Sequence, residues 1–204
     1  MILYVINDFK GNALSRSCLA QAIDDYCSKK EIFFGRNQSA SFFLSQGLKG
    51  KPCLRDFPQV QFSVSHSRNL WLCGIQDQPL GIDIEYKSQM RGLATRSSEG
   101  QTRFEKIAGR YFTDAEQKYV KAHGEEGFYQ VWVRKEAYIK CRGTGISEVL
   151  ASFSVALDDQ LIKRSKQYYL DEIHLNEITY GAYCSLIPMK IEAVIELETK
   201  GEKQ

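Results

Sequence analysis

Apolar residues recur along the chain with two different periods, which predict alternating helical and extended segments. Residues 1–6 form an aliphatic and β-branched run, typical of a buried strand. Residues 12–27 carry an apolar side chain at every fourth position, typical of a helix that packs by one face. The aromatic-rich run over residues 37–48 predicts a second helix, with Gly47 and Gly50 flanking its end.

The following segments change to the two-residue period of a strand. Pro52 begins an extended segment, and residues 61–65 place apolar side chains on one face and polar ones on the other. Residues 71–75 and 80–85 predict the two strands of one hairpin, joined by a turn at 76–79. This part of the chain is therefore expected to be mainly β.

Helical patterns return after a polar stretch. A short helix is predicted over residues 104–111. Thr113 and Glu116 form a capping box that begins the next helix, which ends at Gly124. A further amphipathic helix follows over residues 125–141 and ends at a glycine.

The pattern beyond residue 146 is again that of strands, and it sets the predicted fold class. The strands are expected over residues 153–157, 167–173 and 180–187. Each half of the chain then holds helices early and strands late, so we predict an α+β fold of two similar α/β halves related by a pseudo-twofold axis. The predicted domains are an N-terminal half (1–86), a polar linker (87–103) and a C-terminal half (104–204).

Composition excludes several classes of function. A net charge of +2 over 204 residues argues against nucleic-acid binding driven by bulk electrostatics. The six cysteines form no CxxC pair or metal-type spacing, so we expect reduced thiols in a cytoplasmic protein. The opening MILYVI lacks the basic start and length of a signal segment, and no apolar run approaches the roughly 18 residues of a membrane span.

Two groups of charged residues are candidates for chemistry. Asp83 and Glu85 lie on one face of a predicted strand, roughly 6.6–7 Å apart at Cα. They either lie on the solvent-exposed face of a sheet or are ligands of a hard cation such as Mg²⁺. Trp132, Glu136 and Lys140 form one helical stripe, either a solvent-facing Glu–Lys pair worth about 0.2–0.5 kcal/mol or two groups that reach one ligand.

Five motifs together resemble those of the 4'-phosphopantetheinyl transferases, most closely the longer, surfactin-type branch. They are GKP (50–52), FSVSHS (62–67), GIDIE (81–85), FTDAE (112–116) and WVRKEAYIKCRGTG (132–145). Each motif alone is unspecific, whereas all five in this order are specific. In that branch the active site lies between two similar halves of one chain.

The resemblance implies a Mg²⁺-dependent transferase, with Mn²⁺ as an alternative ion. Such an enzyme moves the phosphopantetheine arm of coenzyme A to a serine of an apo acyl or peptidyl carrier protein and releases adenosine 3',5'-bisphosphate. The implied metal ligands are Asp83, Glu85 and Glu136. The implied catalytic residues are Asp83, Glu136 and Lys140, with either Glu136 or a water on the ion as the base. Two halves in one chain favour a monomer.

The resemblance also implies how coenzyme A is held. Positions that bind its phosphates are matched by Lys51, Ser65, His66 and Lys140. Ligands for the 3'-phosphate stay open, because the candidates Lys29, Lys30 and Arg36 are equally explained as surface charge. The long linker follows the metal strand, where the family docks its carrier, and carries the apolar residues Met90 and Leu93.

Several interpretations remain open from the sequence alone. A Mg²⁺-dependent pyrophosphate hydrolase and a catalytically idle carrier-binding module are alternatives to the transferase. Lys135 is interpreted either as an aid to the proton step or as a solvated surface lysine, and Trp132 as a packing residue. His123 and His174 lie in polar surroundings and are expected at the surface.

Overall fold

The framework of the computed structural model begins with a mixed four-stranded sheet. The model describes residues 1–11, 15–35, 39–47, 50–87, 102–143 and 150–198. The strands of the first sheet are β1 (Ile2–Ile6), β4 (Gln61–Ser67), β5 (Leu70–Gln76) and β12 (Ala193–Glu196). Their order is β12-β1-β5-β4, and β12 runs parallel to β1 while the other pairs are antiparallel.

A second four-stranded sheet is antiparallel throughout. Its strands are β6 (Leu80–Tyr86), β9 (Arg164–Ser165), β10 (Tyr168–Glu172) and β11 (Thr179–Ser185). Their order is β6-β11-β10-β9. The remaining strands of the described residues form two small ribbons: β2 (Leu44–Gln46) with β3 (Pro52–Leu54), and β7 (Ala156–Leu157) with β8 (Gln160–Leu161).

In the described part of the chain, three α-helices accompany the sheets, which confirms the mixed α+β class. They are α1 (Ser15–Lys29), α2 (Arg103–Tyr111) and α3 (Asp114–Arg142), and single 3₁₀ turns cover Ala40–Phe42 and Leu150–Ser152. The predicted capping box of Thr113 and Glu116 begins α3. Gly124, at φ 64° and ψ −141°, interrupts α3, and the left-handed Gly143 ends it, as predicted.

The apolar core is arranged in layers around the two sheets. Along β1, Ile2 and Tyr4 face α1, whereas Leu3 and Val5 face the opposite side, as the two-residue period of a strand requires. That opposite side packs against Ile82 and the other apolar residues of β6. A third cluster joins α2 and α3 to the far face of the second sheet. One face of β6 therefore belongs to the core, and its other face meets α3.

The two sheets meet along β4 and β6 through serine hydroxyl groups. Within the described strands, β4 and β6 share no backbone ladder. Each of three serines on β4 accepts the backbone N–H of a residue on β6: Ser63 from Ile82 at 3.0 Å, Ser65 from Ile84 at 3.3 Å, and Ser67 from Tyr86 at 3.0 Å. We call these three serines the serine seam. Because the seam satisfies buried donors of β6, the polar face of β4 is buried rather than wet.

Two predicted elements are wrong. Over the described residues 39–47 the chain forms a 3₁₀ turn and strand β2 instead of a helix. An apolar run of this length fits either structure, and pairing with β3 decides it. The predicted hairpin of β5 with β6 is also absent, because β5 pairs with β1 and β4 while β6 pairs with β11. Strand β12 was not predicted.

Several sequence predictions concern individual residues of the surface and the core. His123 and His174 are exposed, as predicted, and all six cysteines are free, five of them buried. Among the described residues, no helix has the length and apolar character needed to span a bilayer. Some predictions concern residues outside the described ranges: 12–14, Arg36, 37–38, 48, most of the linker with Met90 and Leu93, 144–149 and 199–204.

Candidate active site

Helix α3 lies directly on strand β6, and a glycine permits the close approach. A Cβ atom at Gly81 would overlap the carbonyl oxygen of Ala137 and the amide nitrogen of Cys141. Both obstacles are backbone atoms, which cannot rotate away as a side chain can. This contact places the residues that follow Gly81 on the strand beneath the last turns of the helix.

Replacing Gly81 by alanine is expected to destabilise the fold by about 3 kcal/mol or more, because overlap with backbone forces strand and helix apart. Gly109→Ala is the matched control. Gly109 lies in α2 with open space around its Cα, so alanine there should leave stability unchanged or raise it by about 0.4–1 kcal/mol. Urea denaturation of both variants measures the difference, and equal midpoints would contradict the close contact.

Asp83 is buried at this contact, with 5% of its surface exposed. Its Oδ1 atom accepts hydrogen bonds from the Ser65 hydroxyl at 2.7 Å and from the Lys140 ammonium at 2.6 Å. Its other carboxylate oxygen, Oδ2, is buried and has no hydrogen-bond partner among the described residues. A buried anionic oxygen in this state favours a bound cation. Because Asp83 is buried, the alternative that it lies on the solvent-exposed face of a sheet is wrong.

Two further carboxylates share the electrostatic field of Asp83. Burial and, to a smaller extent, the charges of Asp83 and Glu85 raise the pKa of Glu136 to about 7, against the opposing effect of Lys140. The pKa of Glu85 is also raised to about 7 by burial and by Asp83, against the opposing effects of the Ser67 hydrogen bond and Lys140. Strand and helix thus bring three mutually repelling acidic groups and one ammonium together.

The donor types at this site fit Mg²⁺. This ion takes oxygen ligands and commonly needs only one or two carboxylates, completing its shell with water and substrate phosphates. In the side-chain positions described, no three His, Cys, Asp or Glu residues are grouped closely enough to enclose an ion. Lys140 is the cation in contact with Asp83 at 2.6 Å. A divalent ion would provide a partner for Oδ2 of Asp83, which has none among the described residues, and would lower the raised pKa of Glu136.

The predicted coenzyme A ligands lie in different environments. The ammonium of Lys51 donates to the backbone carbonyls of Leu80 and Lys140 at 2.9 and 2.8 Å, and burial lowers its pKa. It therefore ties the start of β6 to the end of α3. His66 is exposed on β4, with its ring 5.7 Å from that of Phe9.

The candidate ligands of the 3'-phosphate on α1 form ion pairs with acidic side chains. Lys29 contacts Asp25 at 2.6 Å, one helical turn away, and Lys30 contacts Glu192 at 3.5 Å. Both lysines are about half exposed, with 47% and 44% of their side-chain surfaces accessible. Such exposed ion pairs contribute little free energy, so either lysine can leave its partner to bind a more highly charged anion.

The interpretation of Lys135 as a solvated surface lysine is wrong. Its ammonium contacts the carboxylate of Glu116 at 2.8 Å, and both side chains are fully buried. It also donates to the carbonyl oxygens of Leu150 and Phe153 at 2.6 and 2.9 Å. Lys135 and Glu136 are neighbours in sequence but point to different sides of α3, since successive helical residues are rotated by about 100°. With three acceptors engaged, Lys135 has a structural role.

Trp132, Glu116 and Ser67 support the site, and the sequence predicted their roles only in part. Trp132 packs on the core with its ring stacked 5.9 Å from that of Phe128, which confirms its interpretation as a packing residue. Glu116 was predicted only as a capping residue. Ser67 was not predicted at all, although serines alternating at 63, 65 and 67 are visible in the sequence. What they face is decided by β6, which lies elsewhere in the chain.

Comparison with known proteins gives a consistent result. A family model described as "4'-phosphopantetheinyl transferase superfamily" matches residues 79–184. The chain is 38% identical over 112 residues to the 4'-phosphopantetheinyl transferase Sfp of Bacillus subtilis, covering 53% of this chain and 44% of that protein.

Two other relatives extend the comparison. With the 4'-phosphopantetheinyl transferase HetI of a Nostoc species, identity is 33% over 117 residues, or 53% of this chain and 44% of the relative. With the 4'-phosphopantetheinyl transferase gsp of Aneurinibacillus migulanus, identity is 30% over 147 residues, or 70% and 51%. The chain thus spans about half the length of the curated relatives it matches.

Proposed function

Because the chain belongs to the 4'-phosphopantetheinyl transferase superfamily, we propose that it transfers the 4'-phosphopantetheine arm of coenzyme A to a serine hydroxyl of an apo carrier protein. One observation carries the proposal. Three charged groups interact at one site: the buried carboxylate of Asp83 on β6, and the carboxylate of Glu136 and the ammonium of Lys140 on α3. Lys140 donates a hydrogen bond to Asp83, and both residues shift the pKa of Glu136. The activities named for the three relatives support it.

The reaction exchanges one phosphorus–oxygen bond for another. The carrier serine oxygen bonds to the phosphorus next to pantetheine, and the pyrophosphate bond of coenzyme A breaks. Adenosine 3',5'-bisphosphate leaves with the electron pair of that bond, and the serine proton passes to a base. No covalent enzyme intermediate is needed, so the chain has to position both substrates, stabilise negative charge and accept a proton.

The residues of the site match these tasks. Asp83, Glu85 and Glu136 would hold Mg²⁺, which when bound supplies charge neutralisation at the pyrophosphate. Lys140 is proposed to leave Asp83 and contact a phosphate as a point charge. Glu136 is proposed as the base, because it is the carboxylate of α3 that shares the electrostatic field of Asp83 and Glu85 at the site.

Coenzyme A is proposed to lie across β4 and the end of α3. Ser65 and His66 on β4 and Lys51 beside the helix end are the proposed phosphate contacts, together with Lys140. Lys51 would then give up or share its bonds to the carbonyl oxygens of Leu80 and Lys140.

The two sheets are proposed as the centres of two halves related by a pseudo-twofold axis. Each sheet has four strands and carries helices on one face. The proposed halves exchange strands: β6 precedes the linker yet lies in the second sheet, and β12 follows the linker yet lies in the first. We further propose that the protein acts as a cytoplasmic monomer, because both halves are in one chain.

A mass measurement on the acceptor tests the function. The protein is incubated with coenzyme A, Mg²⁺ and apo acyl and peptidyl carrier proteins, and each intact carrier is weighed by mass spectrometry. A gain of one phosphopantetheine, absent when the acceptor serine is changed to alanine, supports transfer. Cleavage of coenzyme A without labelling supports the hydrolase instead, and binding of carrier without either reaction supports the idle module.

Changing Asp83 to asparagine is expected to lower the transfer rate roughly a hundredfold or more, because the neutral side chain neither holds the ion nor attracts Lys140. The side chain keeps its size, so circular dichroism should be unchanged. Asp77→Asn, in the exposed turn before β6, is the control and should retain full activity. Equal rates for the two variants would remove Asp83 from the proposed site.

A further inference from the structure

Two of the three serines of the serine seam donate hydrogen bonds to acidic residues of β6, and the third does not have such a residue beside it. Ser65 and Ser67 each donate a hydrogen bond to a carboxylate, Ser65 to Asp83 at 2.7 Å and Ser67 to Glu85 at 3.0 Å. Ser63 occupies the equivalent place one step earlier, where the corresponding residue of β6 is Gly81 and offers no carboxylate. All three serines nevertheless accept a backbone N–H from β6.

A serine hydroxyl has one proton, so its donated hydrogen bond is directional. In Ser67 the oxygen is held from one side by the amide of Tyr86, at 3.0 Å, and the proton points to Oε2 of Glu85. The Ser67 side chain is enclosed, with 1% of the residue exposed. The hydroxyl is thus anchored to the backbone of β6 and fixes the direction of a carboxylate on the same strand.

Ser65 makes the same pair of bonds, but Asp83 has a second orienting partner in Lys140, at 2.6 Å. The orientation of Glu85 therefore depends on its serine more than that of Asp83 does. We propose that Ser67 is a positioning residue, whose hydroxyl holds the Glu85 carboxylate in the direction needed to bind the divalent ion. The inference rests on the proposed function, since it assumes that Glu85 is a metal ligand.

The arrangement separates a structural from a functional contribution. Ser63→Ala and Ser67→Ala each remove one hydroxyl that accepts a buried N–H of β6, so both should lower the melting temperature by a similar amount. Only Ser67→Ala also frees a carboxylate. Loss of an outer partner of a metal ligand typically lowers metal affinity about 10–100-fold.

The experiment is a calorimetric titration of Mg²⁺ into the parent, Ser67→Ala and Ser63→Ala, each in the presence of coenzyme A. We expect Mg²⁺ affinity about tenfold or more lower in Ser67→Ala and unchanged in Ser63→Ala. The Mg²⁺ concentration for half-maximal transfer should rise in parallel, with a smaller change in kcat at saturating Mg²⁺. Equal affinities for the two variants overturn the inference.

A second pair of variants guards against misfolding of Ser67→Ala. Ser67→Thr and Ser67→Val have nearly the same shape, and both suit a strand. The threonine variant, which keeps the hydroxyl, should bind Mg²⁺ more tightly than the valine variant. No difference between them overturns the inference.

Failure of the proposed function is read separately, from the carrier mass. A parent that labels its carrier while Ser67→Ala binds Mg²⁺ normally refutes the positioning role alone. A parent that binds Mg²⁺ more tightly than Ser67→Ala but labels no carrier refutes the transferase and retains the positioning role. A parent that binds no Mg²⁺ overturns the positioning role, and the carrier mass alone still decides the transferase.

Discussion

Glu136→Gln is expected to slow transfer severely and, at the same time, to make the metal-free protein more stable at pH 8. Removing a ligand that also serves as the base should lower kcat/KM by about 10²–10⁴-fold. The gain in stability has a separate cause. Burial and the charge of Asp83 raise the pKa of Glu136 to about 7, so the ionised carboxylate is unfavourable in the folded state. Glutamine keeps the shape and removes the charge.

The sign of the pH dependence follows from proton binding. The pKa of Glu136 is higher in the folded state than in the unfolded state. Between pH 4.5 and about 7 the folded protein therefore holds more protons than the unfolded chain, and its stability falls as the pH rises through this range. The parent therefore carries the full penalty at pH 8 and little of it at pH 5. Relative to the parent, Glu136→Gln should gain on the order of 3 kcal/mol at pH 8 and less than about 1 kcal/mol at pH 5.

Calorimetric melting in metal-free buffer at the two pH values measures this difference. Glu126→Gln, an exposed position on the same helix, is the control and should change neither stability nor activity. Added Mg²⁺ should stabilise the parent at pH 8 but not Glu136→Gln. A variant that is inactive yet shows no pH-dependent gain would indicate that Glu136 is not in the shared acidic field.

Lys135→Met is expected to destabilise the protein by about 3–5 kcal/mol, although the side chain adjoins the proposed base in sequence. Methionine fills similar space without an ammonium. The carboxylate of Glu116 is then left buried and uncompensated, and the carbonyl oxygens of Leu150 and Phe153 lose their donor. Against a typical total stability of about 5–15 kcal/mol, this loss is large.

Urea denaturation measures the loss, and two further variants identify its origin. Lys121→Met, exposed on the same helix, should stay within about 0.5 kcal/mol of the parent. Adding Glu116→Gln to Lys135→Met removes the unpaired charge while keeping an oxygen for Thr113 or Val155. The double variant should therefore be more stable than Lys135→Met alone. A loss in Lys135→Met no greater than that in Lys121→Met would contradict a stabilising role for the ion pair.

Local features of the fold were predictable because their causes lie within a few residues of one another. The capping box of Thr113 and Glu116 depends on a spacing of three residues, and the left-handed Gly143 on the backbone freedom of one residue. The alternation over GIDIE likewise placed Asp83 and Glu85 on one face. These predictions needed no knowledge of what lies opposite.

Pairing between distant segments was not predictable in the same way. Neighbouring strands in sequence were assumed to pair, yet β5 joins β1 and β4 while β6 joins β11 across the length of the second half. The run over 37–48 was misassigned because its bulk fits helix and strand alike, and β3 selects the strand. Strand β12 pairs with β1 from the other end of the chain.

The sequence by itself determined which groups are available: an acidic pair on a strand, a Glu–Lys pair on a helix, and motifs typical of one family. The tertiary structure decided their environments, because burial, partners and electric field depend on which segments meet. It placed Lys135 in an ion pair with Glu116 away from Glu136, and it left Asp83 with a buried oxygen that no described residue hydrogen-bonds. It also turned three alternating serines into a seam whose last member points at Glu85.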